Sequence, residues 1–334
     1  MTRARLVLMT SLLVSAACGA PAPAEQHPVA PPAPVVAPVA APTSTAAPDP
    51  PAAPPPLVVR FHREVEAKVI SIALERPPHA AALGADAAWI HDARGWREGR
   101  LPASARRGPR PALSVFYGRD DRIRVVGSRP GGAVYLRWLP SGFSAAGKEI
   151  GKLADLKGAL VAVLGTADPE IVCRPGDICI VKRRTGWTMM AAPADIARVT
   201  LGDGVGWAVA GRRLLRLGAG WESAGAEGTW SAADALFATR DRAWIVETDG
   251  GRIHAFDGAA WSVAASPIDR PRALWGARPD ALWLAGEGGL AFFDGRVWRR
   301  VADAPAPLAA VAGRSADDVW IGGDPGLFRI ERGE

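Results

Sequence analysis

Several things are scarce in this chain. It has two tyrosines, four methionines, three cysteines and five histidines among 334 residues. The histidines (His27, His62, His79, His91 and His254) show no ligand spacing, so no metal centre is expected, and nothing calls for a cofactor. No GxSxG elbow and no phosphate-binding loop occurs. No apolar run approaches the ~20 residues a membrane-spanning helix needs. No segment keeps a 3.6-residue apolar period over ten residues, which argues against helical architecture. Lysine is rare too: the charge of +6 comes from arginines scattered singly, with no sustained basic run. That pattern fits a solvated surface better than nucleic acid, and no nucleic-acid partner is expected.

What is present begins with an export signal. Residues 1–17, "MTRARLVLMTSLLVSAA", have a basic start (Arg3, Arg5), an apolar run from Leu6 to Val14 and a small-residue end. Then comes Cys18. "VSAAC" resembles the lipobox of bacterial lipoproteins, with Ser15 where that family usually has Leu; Ser15 and Ala17 also suit ordinary signal-peptidase cleavage. Cys173 and Cys179 make a natural pair, which leaves Cys18 a lone thiol in an oxidising compartment unless it is lipidated. The lipoprotein resemblance implies stable anchoring through Cys18 alone, and Gly19 after it implies the outer membrane.

Residues 19–56 hold 14 prolines among mostly alanines. Such a stretch buries too little apolar surface to fold and favours extended polyproline II. At ~3.1 Å per residue it spans on the order of 100 Å, a tether between anchor and body. From Leu57 to Glu334 the texture changes to short apolar runs broken by Gly, Asp and Pro: an all-β body.

That body repeats. Trp207, Trp244, Trp283 and Trp320 each follow a small polar turn, at spacings of 37, 39 and 37. A second tryptophan follows the first three after 14, 17 and 15 residues: Trp221, Trp261 and Trp298. Each copy reads as strand, Gly-bearing turn, strand, Asp-Gly or Ala-Gly turn, strand, with one more strand upstream. Four short strands in about 37 residues make a β-propeller blade, whose sheet must stack on its neighbours to bury both faces. Upstream the pattern weakens but keeps time through Trp89, Arg124 and Val161 or Ala162. Trp96 follows Trp89 after only seven residues, which suggests a blade short of one strand. Residues 76–334 number 259, seven times 37, so seven blades are expected, with six as the alternative. Tryptophans at fixed repeat positions read as inter-blade core; a cage for a sugar or methylated amine is the rival reading.

The last copy, "SADDVWIGGDPGLFRIERGE", stops one strand short of "RPDALWLAGEGGLAFFDGRVWRRVA". Residues 58–75, "VVRFHREVEAKVISIALE", read as one or two strands with no blade of their own. Set beside the C-terminal strands they close the ring and cover an open edge.

"DDVWIGGDPGLFRI" and "ALWLAGEGGLAFFDG" resemble the regulatory propeller repeats of sensor ectodomains. The "DG..W" ending is similar to sialidase-type and photosystem-assembly-factor-like repeats. A sialidase site would bring a Tyr nucleophile and Asp boxes; only Tyr117 and Tyr135 exist, and "SADDVW" lacks the box glycine. The resemblance therefore implies a fold and transfers no catalytic residue. Cys173 and Cys179 flank the turn "RPGDI", and a disulfide there contributes about 2–3 kcal/mol; redox activity is the rival. Asp203, Asp249, Asp280, Asp317 and Asp318 read as turn formers, and His254 as a blade-face residue near Phe256. The functional expectation is a monomeric, envelope-tethered binding or scaffold module meeting a protein or polysaccharide through its loops. A glycan-active hydrolase or lyase with acids at the channel mouth is the alternative. An extracytoplasmic sensor lacks segments to transmit a signal.

Overall fold

The computed structural model describes residues 57–332 except 58, 76–77, 107–111, 118–122, 130–131, 140, 146–160, 164–169, 184–185 and 248. The expectations for residues 1–17, Cys18 and 19–56 fall outside that range. The body is seven four-stranded antiparallel sheets, six of them simple meanders and the seventh completed by the first strand of the chain. Blade 1 spans Ser71–Arg100, blade 2 Ala112–Ala145, blade 3 Val161–Ala191 and blade 4 Ile196–Ser223. Blade 5 spans Ala235–Ala265, blade 6 Pro271–Arg300, and blade 7 joins Leu308–Arg332 to Val59–Val65. One four-residue helical turn, Ala103–Arg106, links blades 1 and 2.

Among the described residues, the first strands of neighbouring blades touch at six of the seven junctions, all but that of blades 2 and 3, so they are the inner strands lining the channel. Closure comes from the chain start. Val59–Val65 is the outer strand of blade 7, with Val59 opposite Arg332, Phe61 opposite Ile330 and Val65 opposite Leu327. Only half of the expected segment does this, because Ser71–Leu74 is already the inner strand of blade 1.

Local chemistry makes the meanders. Asp203 and Gly204 link the first two strands of blade 4 with both φ values positive, 48° and 78°. That is the type I′ geometry whose twist matches a hairpin, and Asp-Gly suits it. Elsewhere glycine lets blades approach: a Cβ on Gly313, in the inner strand of blade 7, would overlap the Trp275 ring of blade 6.

The core lies in the seams between blades rather than at one centre. Separate apolar clusters fill the described seams 1/2, 3/4, 4/5, 5/6, 6/7 and 7/1. Trp207, Trp244, Trp283 and Trp320 sit on second strands and face the following blade. Trp221, Trp261 and Trp298 sit on outer strands and face the preceding one. Seam 4/5 thus holds Trp207 with Trp261, and seam 5/6 holds Trp244 with Trp298.

In two upstream units the repeat phase differs from the sequence reading. Trp89 lies on the third strand of blade 1, opposite Ala82, and turns back toward blade 7. Trp96 is on the next strand of the same hairpin, which explains the spacing of seven; blade 1 has all four strands. Val161 and Ala162 lie on the inner strand of blade 3, and Ile171 takes the Trp place on its second strand, facing blade 4. Arg124 does fall on a second strand. Without tryptophan as a marker, spacing preserves the count and loses the phase.

Candidate functional site

In an antiparallel meander the connections between blades emerge at the same face as the turns between second and third strands. On this face, called upper here, blades 5 and 6 enclose an open cleft of about 640 Å³. Its wall is Asp249, Gly250 and Gly251 from the blade 5 turn, Ser266, Ile268, Asp269 and Arg270 from the connection, and Glu287 and Gly288 from the blade 6 turn. Two backbone bonds clamp that last turn to the connection, Glu287 N–H to the Arg270 carbonyl (3.2 Å) and Gly288 N–H to the Asp269 carbonyl (3.0 Å). Arg270 has φ 42°, a left-handed conformation uncommon for a long side chain. Such residues persist where surrounding bonds over-determine them, often at binding sites.

Glu287 accepts from Arg272 Nη2 (2.6 Å) and Arg270 Nη1 (3.0 Å). The Arg272 hydrogen bond, with Arg270 beside it, holds this carboxyl below the usual range against its desolvation. Nearer the channel, Arg198 at the head of the blade 4 inner strand donates to the carbonyls of Asp234 (2.6 Å) and Ala197 (2.8 Å), and lies 3.4 Å from Asp234 Oδ1. Burial pushes the Asp234 carboxyl up, against the pull of Arg198 and Arg272, and Asp249 adds to the rise. Asp234 immediately precedes the inner strand of blade 5, Ala235–Ala238, so its pair with Arg198 lies on the upper face at the inner side of the ring.

Beneath the cleft is a buried polar knot. Glu247, 1% exposed, ends the second strand of blade 5. Its Oε1 accepts from Ser231 N–H (2.9 Å), Ser231 Oγ (2.7 Å) and Arg252 Nη2 (3.1 Å). Its Oε2 meets Arg252 Nε (2.8 Å) and His254 Nε2 (3.1 Å). Burial alone would raise this pKa; the bonds from Arg252, Ser231 and His254 overcome it and lower it to about 2. Trp230 covers His254 edge-on at 5.5 Å and donates its Nε1–H to the Gly211 carbonyl. The knot ties the 224–234 connection, and so Asp234, to blade 5.

Cys173 and Cys179 form a disulfide between directly opposite residues of a blade 3 hairpin, both fully buried in seam 3/4. Trp221 Nε1 approaches Cys179 Sγ at 3.3 Å. His254 is not a free blade face but a partner of Glu247, and Asp249 lines the cleft as well as shaping its turn. Arg198, Asp234, Glu247 and Glu287 were not singled out from the sequence. One signal was available: three residues after each repeat Trp stand Ala210, Gly286 and Gly323, but Glu247 in blade 5.

No family model and no curated protein matches the chain. Solved propellers do match its shape. Virginiamycin B lyase from Staphylococcus aureus superposes with TM-score 0.63 at 12% identity, over 82% of this chain and 99% of that one. YCF48 bound to D1 peptide gives 0.60 at 18%, over 84% and 99%. The WD40 propeller domain of Doa1 gives 0.58 at 12%, over 82% and 98%. At such identities the likeness is one of fold: a seven-bladed propeller. Proteins of this fold include binding modules and a lyase.

Proposed function

We propose that this chain is an exported binding or scaffold module, anchored through lipidated Cys18 to the outer membrane, that recognises an envelope protein or polysaccharide with its upper loop face. One observation carries the reading. The cleft between blades 5 and 6 is open and polar, and the charges at it and beside it pair with one another, Arg270 and Arg272 with Glu287 and, nearer the channel, Arg198 with Asp234. Preset, mutually paired charges favour orientation and specificity in binding over proton transfer. Glu247 stays ionised at any ordinary pH and cannot act as a general acid. The complex of YCF48 with a peptide is support by analogy of fold.

The glycan-active alternative rests on Asp234, whose raised pKa suits an acid at the channel mouth. One experiment separates the two. Purified protein is sedimented with isolated cell-wall sacculi and with solubilised envelope proteins, as wild type and Arg272→Glu. Retention that falls tenfold or more in the variant, with no release of reducing ends, supports the binding module. Release of reducing ends that Asp234→Asn abolishes replaces it with the enzyme. Equal retention of both proteins removes the loop face from the account.

A further inference from the structure

The outer strands of propeller blades leave one edge unpaired, and charged side chains are the usual protection for such edges. Here the outer strand of blade 1 carries Arg97, Glu98 and Arg100, and that of blade 7 Arg60, His62, Arg63 and Glu64. Those of blades 4 and 6 are three residues long and charged; those of blades 2 and 3, Gly142–Ala145 and Gly186–Ala191, carry no charge, so it is the apolar groove beside it that sets the blade 5 edge apart. The outer strand of blade 5, Trp261–Ala265, is five residues, "WSVAA", with no charge, and all but Trp261 are exposed. Val263 is 51% exposed. Ser266 N–H bonds to the Gly251 carbonyl, and ladder bonds alternate along an antiparallel pair. The N–H and C=O groups of Trp261, Val263 and Ala265 therefore point away from the blade.

Beside this edge, the outer end of seam 5/6 is an apolar groove of about 390 Å³. Its floor is Trp244, Ile253 and Ala255 and its far wall Phe293, Val297 and Trp298. The groove exists because Ser262 and Ala264, the edge residues opposite Ala255 and Ile253, are too small to fill it. Arg296 stands at its lower end, exposed and in no side-chain ion pair among the described residues.

We infer that this edge and groove together are a docking site for an extended segment of a partner protein, one with apolar side chains at alternate positions and a carboxylate at the end that meets Arg296. The segment adds a fifth strand to blade 5. Its backbone pairs with Trp261, Val263 and Ala265, its alternate side chains enter the groove, and its carboxylate meets the unpaired guanidinium. A second copy of this chain fits poorly: edge-to-edge pairing presents only Ser262 and Ala264 to the groove and leaves it empty. The site is on the rim, so it goes beyond the loop-face reading and does not depend on it.

The test uses three nine-residue peptides on the full chain, with charged ends on the same strand face as the apolar residues: ETVTLTVTE, KTVTLTVTK and a scramble of the first. Fluorescence anisotropy reads binding, and amide hydrogen exchange reads its place. The acidic-ended peptide is expected to bind best and to slow exchange at Trp261, Val263 and Ala265 tenfold or more. Arg296→Glu, a surface change that leaves the fold intact, weakens it at least tenfold and reverses the preference toward the lysine-ended peptide. Ala264→Phe fills the groove and abolishes binding, while Arg272→Glu on the loop face leaves it unchanged. Three outcomes overturn the proposal: no protection of the edge by any peptide at millimolar concentration, equal binding of the scramble, or self-association of the free chain that protects the same amides.

Discussion

Blades 4 to 7 and blades 1 to 3 solve the same packing problem differently. In the C-terminal group a tryptophan from each second strand spans the seam to the next blade, and Trp207 and Trp283 are at most 1% exposed. In seam 1/2 the same volume is filled by Ala81, Leu83, Ala88, Ile90, Leu113, Val115, Val125 and Leu136, with Trp138 and Phe143 at the margin. Blade 3 puts Ile171 in the Trp place and adds a disulfide. One large planar side chain per seam concentrates the packing in a single residue; several aliphatic ones distribute it. The difference predicts where the ring is brittle.

The largest effect lies where the two groups meet. Truncation through Pro56 should leave the melting temperature nearly unchanged. Truncation through Val65 removes the outer strand of blade 7, with Val59 and Phe61 packed against seam 6/7. It exposes the edge of Gly326–Arg332 and should cost at least ~5 kcal/mol, a large share of a domain's ~5–15. That lowers the melt by roughly 10 °C or more. Equal melts for the two truncations would mean that the first strand does not close the ring.

Next come single seam residues. Trp283→Ala should cost about 3–5 kcal/mol, because no neighbour can collapse into so large a void. Val125→Ala, equally buried in seam 1/2, should cost about 1.5 kcal/mol for the carbon groups removed. Urea denaturation of both variants measures the contrast. Similar losses would show that the N-terminal seams are as concentrated as the C-terminal ones.

The same contrast explains what was legible beforehand. Seven blades and closure by the chain start could be read because the last four units carry Trp markers and the final unit visibly stops short. The phase of blades 1 and 3 could not. Trp89 is a seam residue of the wrong strand, and nothing in "LKGALVAVLG" marks Val161 as inner rather than second. The site was hidden for another reason. Arg198 and Asp234 are 36 residues apart and meet only because successive inner strands are neighbours. Glu247 and His254 were visible as departures from the repeat, a Glu where blades 4, 6 and 7 have Ala or Gly and a His where they have Leu215, Ala291 and Phe328.

That departure yields a third prediction, within blade 5. Glu247→Ala leaves His254 buried without its carboxylate and frees Ser231 and Arg252, which should cost about 3 kcal/mol near pH 7. The folded carboxyl titrates at about 2, below its ordinary 4.5. Its contribution is therefore fully present above pH ~4.5 and fades as pH falls toward 2. Denaturation of wild type and variant should show a gap that narrows across that window. A gap constant from pH 7 to pH 3 would mean that packing, not charge, is what Glu247 supplies.

The smallest effect tests blade 3, where the disulfide stands in a seam that has Trp221 from the outer strand of blade 4 but no second-strand Trp. Cys173 and Cys179 are six residues apart, and closing so short a loop restricts the unfolded chain only modestly, by about 2–3 kcal/mol. The Cys173→Ser/Cys179→Ser double variant should lose about that much, and a peptide carrying both cysteines should weigh two units less than its reduced form. If the staple acts on blade 3 itself, the loss should appear as faster amide exchange in Ile178–Arg183 and in Ile196–Gly202 of blade 4, the inner strand that shares the seam. Exchange in the Trp283 seam should stay unchanged, since each blade touches only its neighbours. Uniform acceleration around the ring would instead mean that the seven blades open as one cooperative unit, and the division into brittle and distributed seams would fail with it.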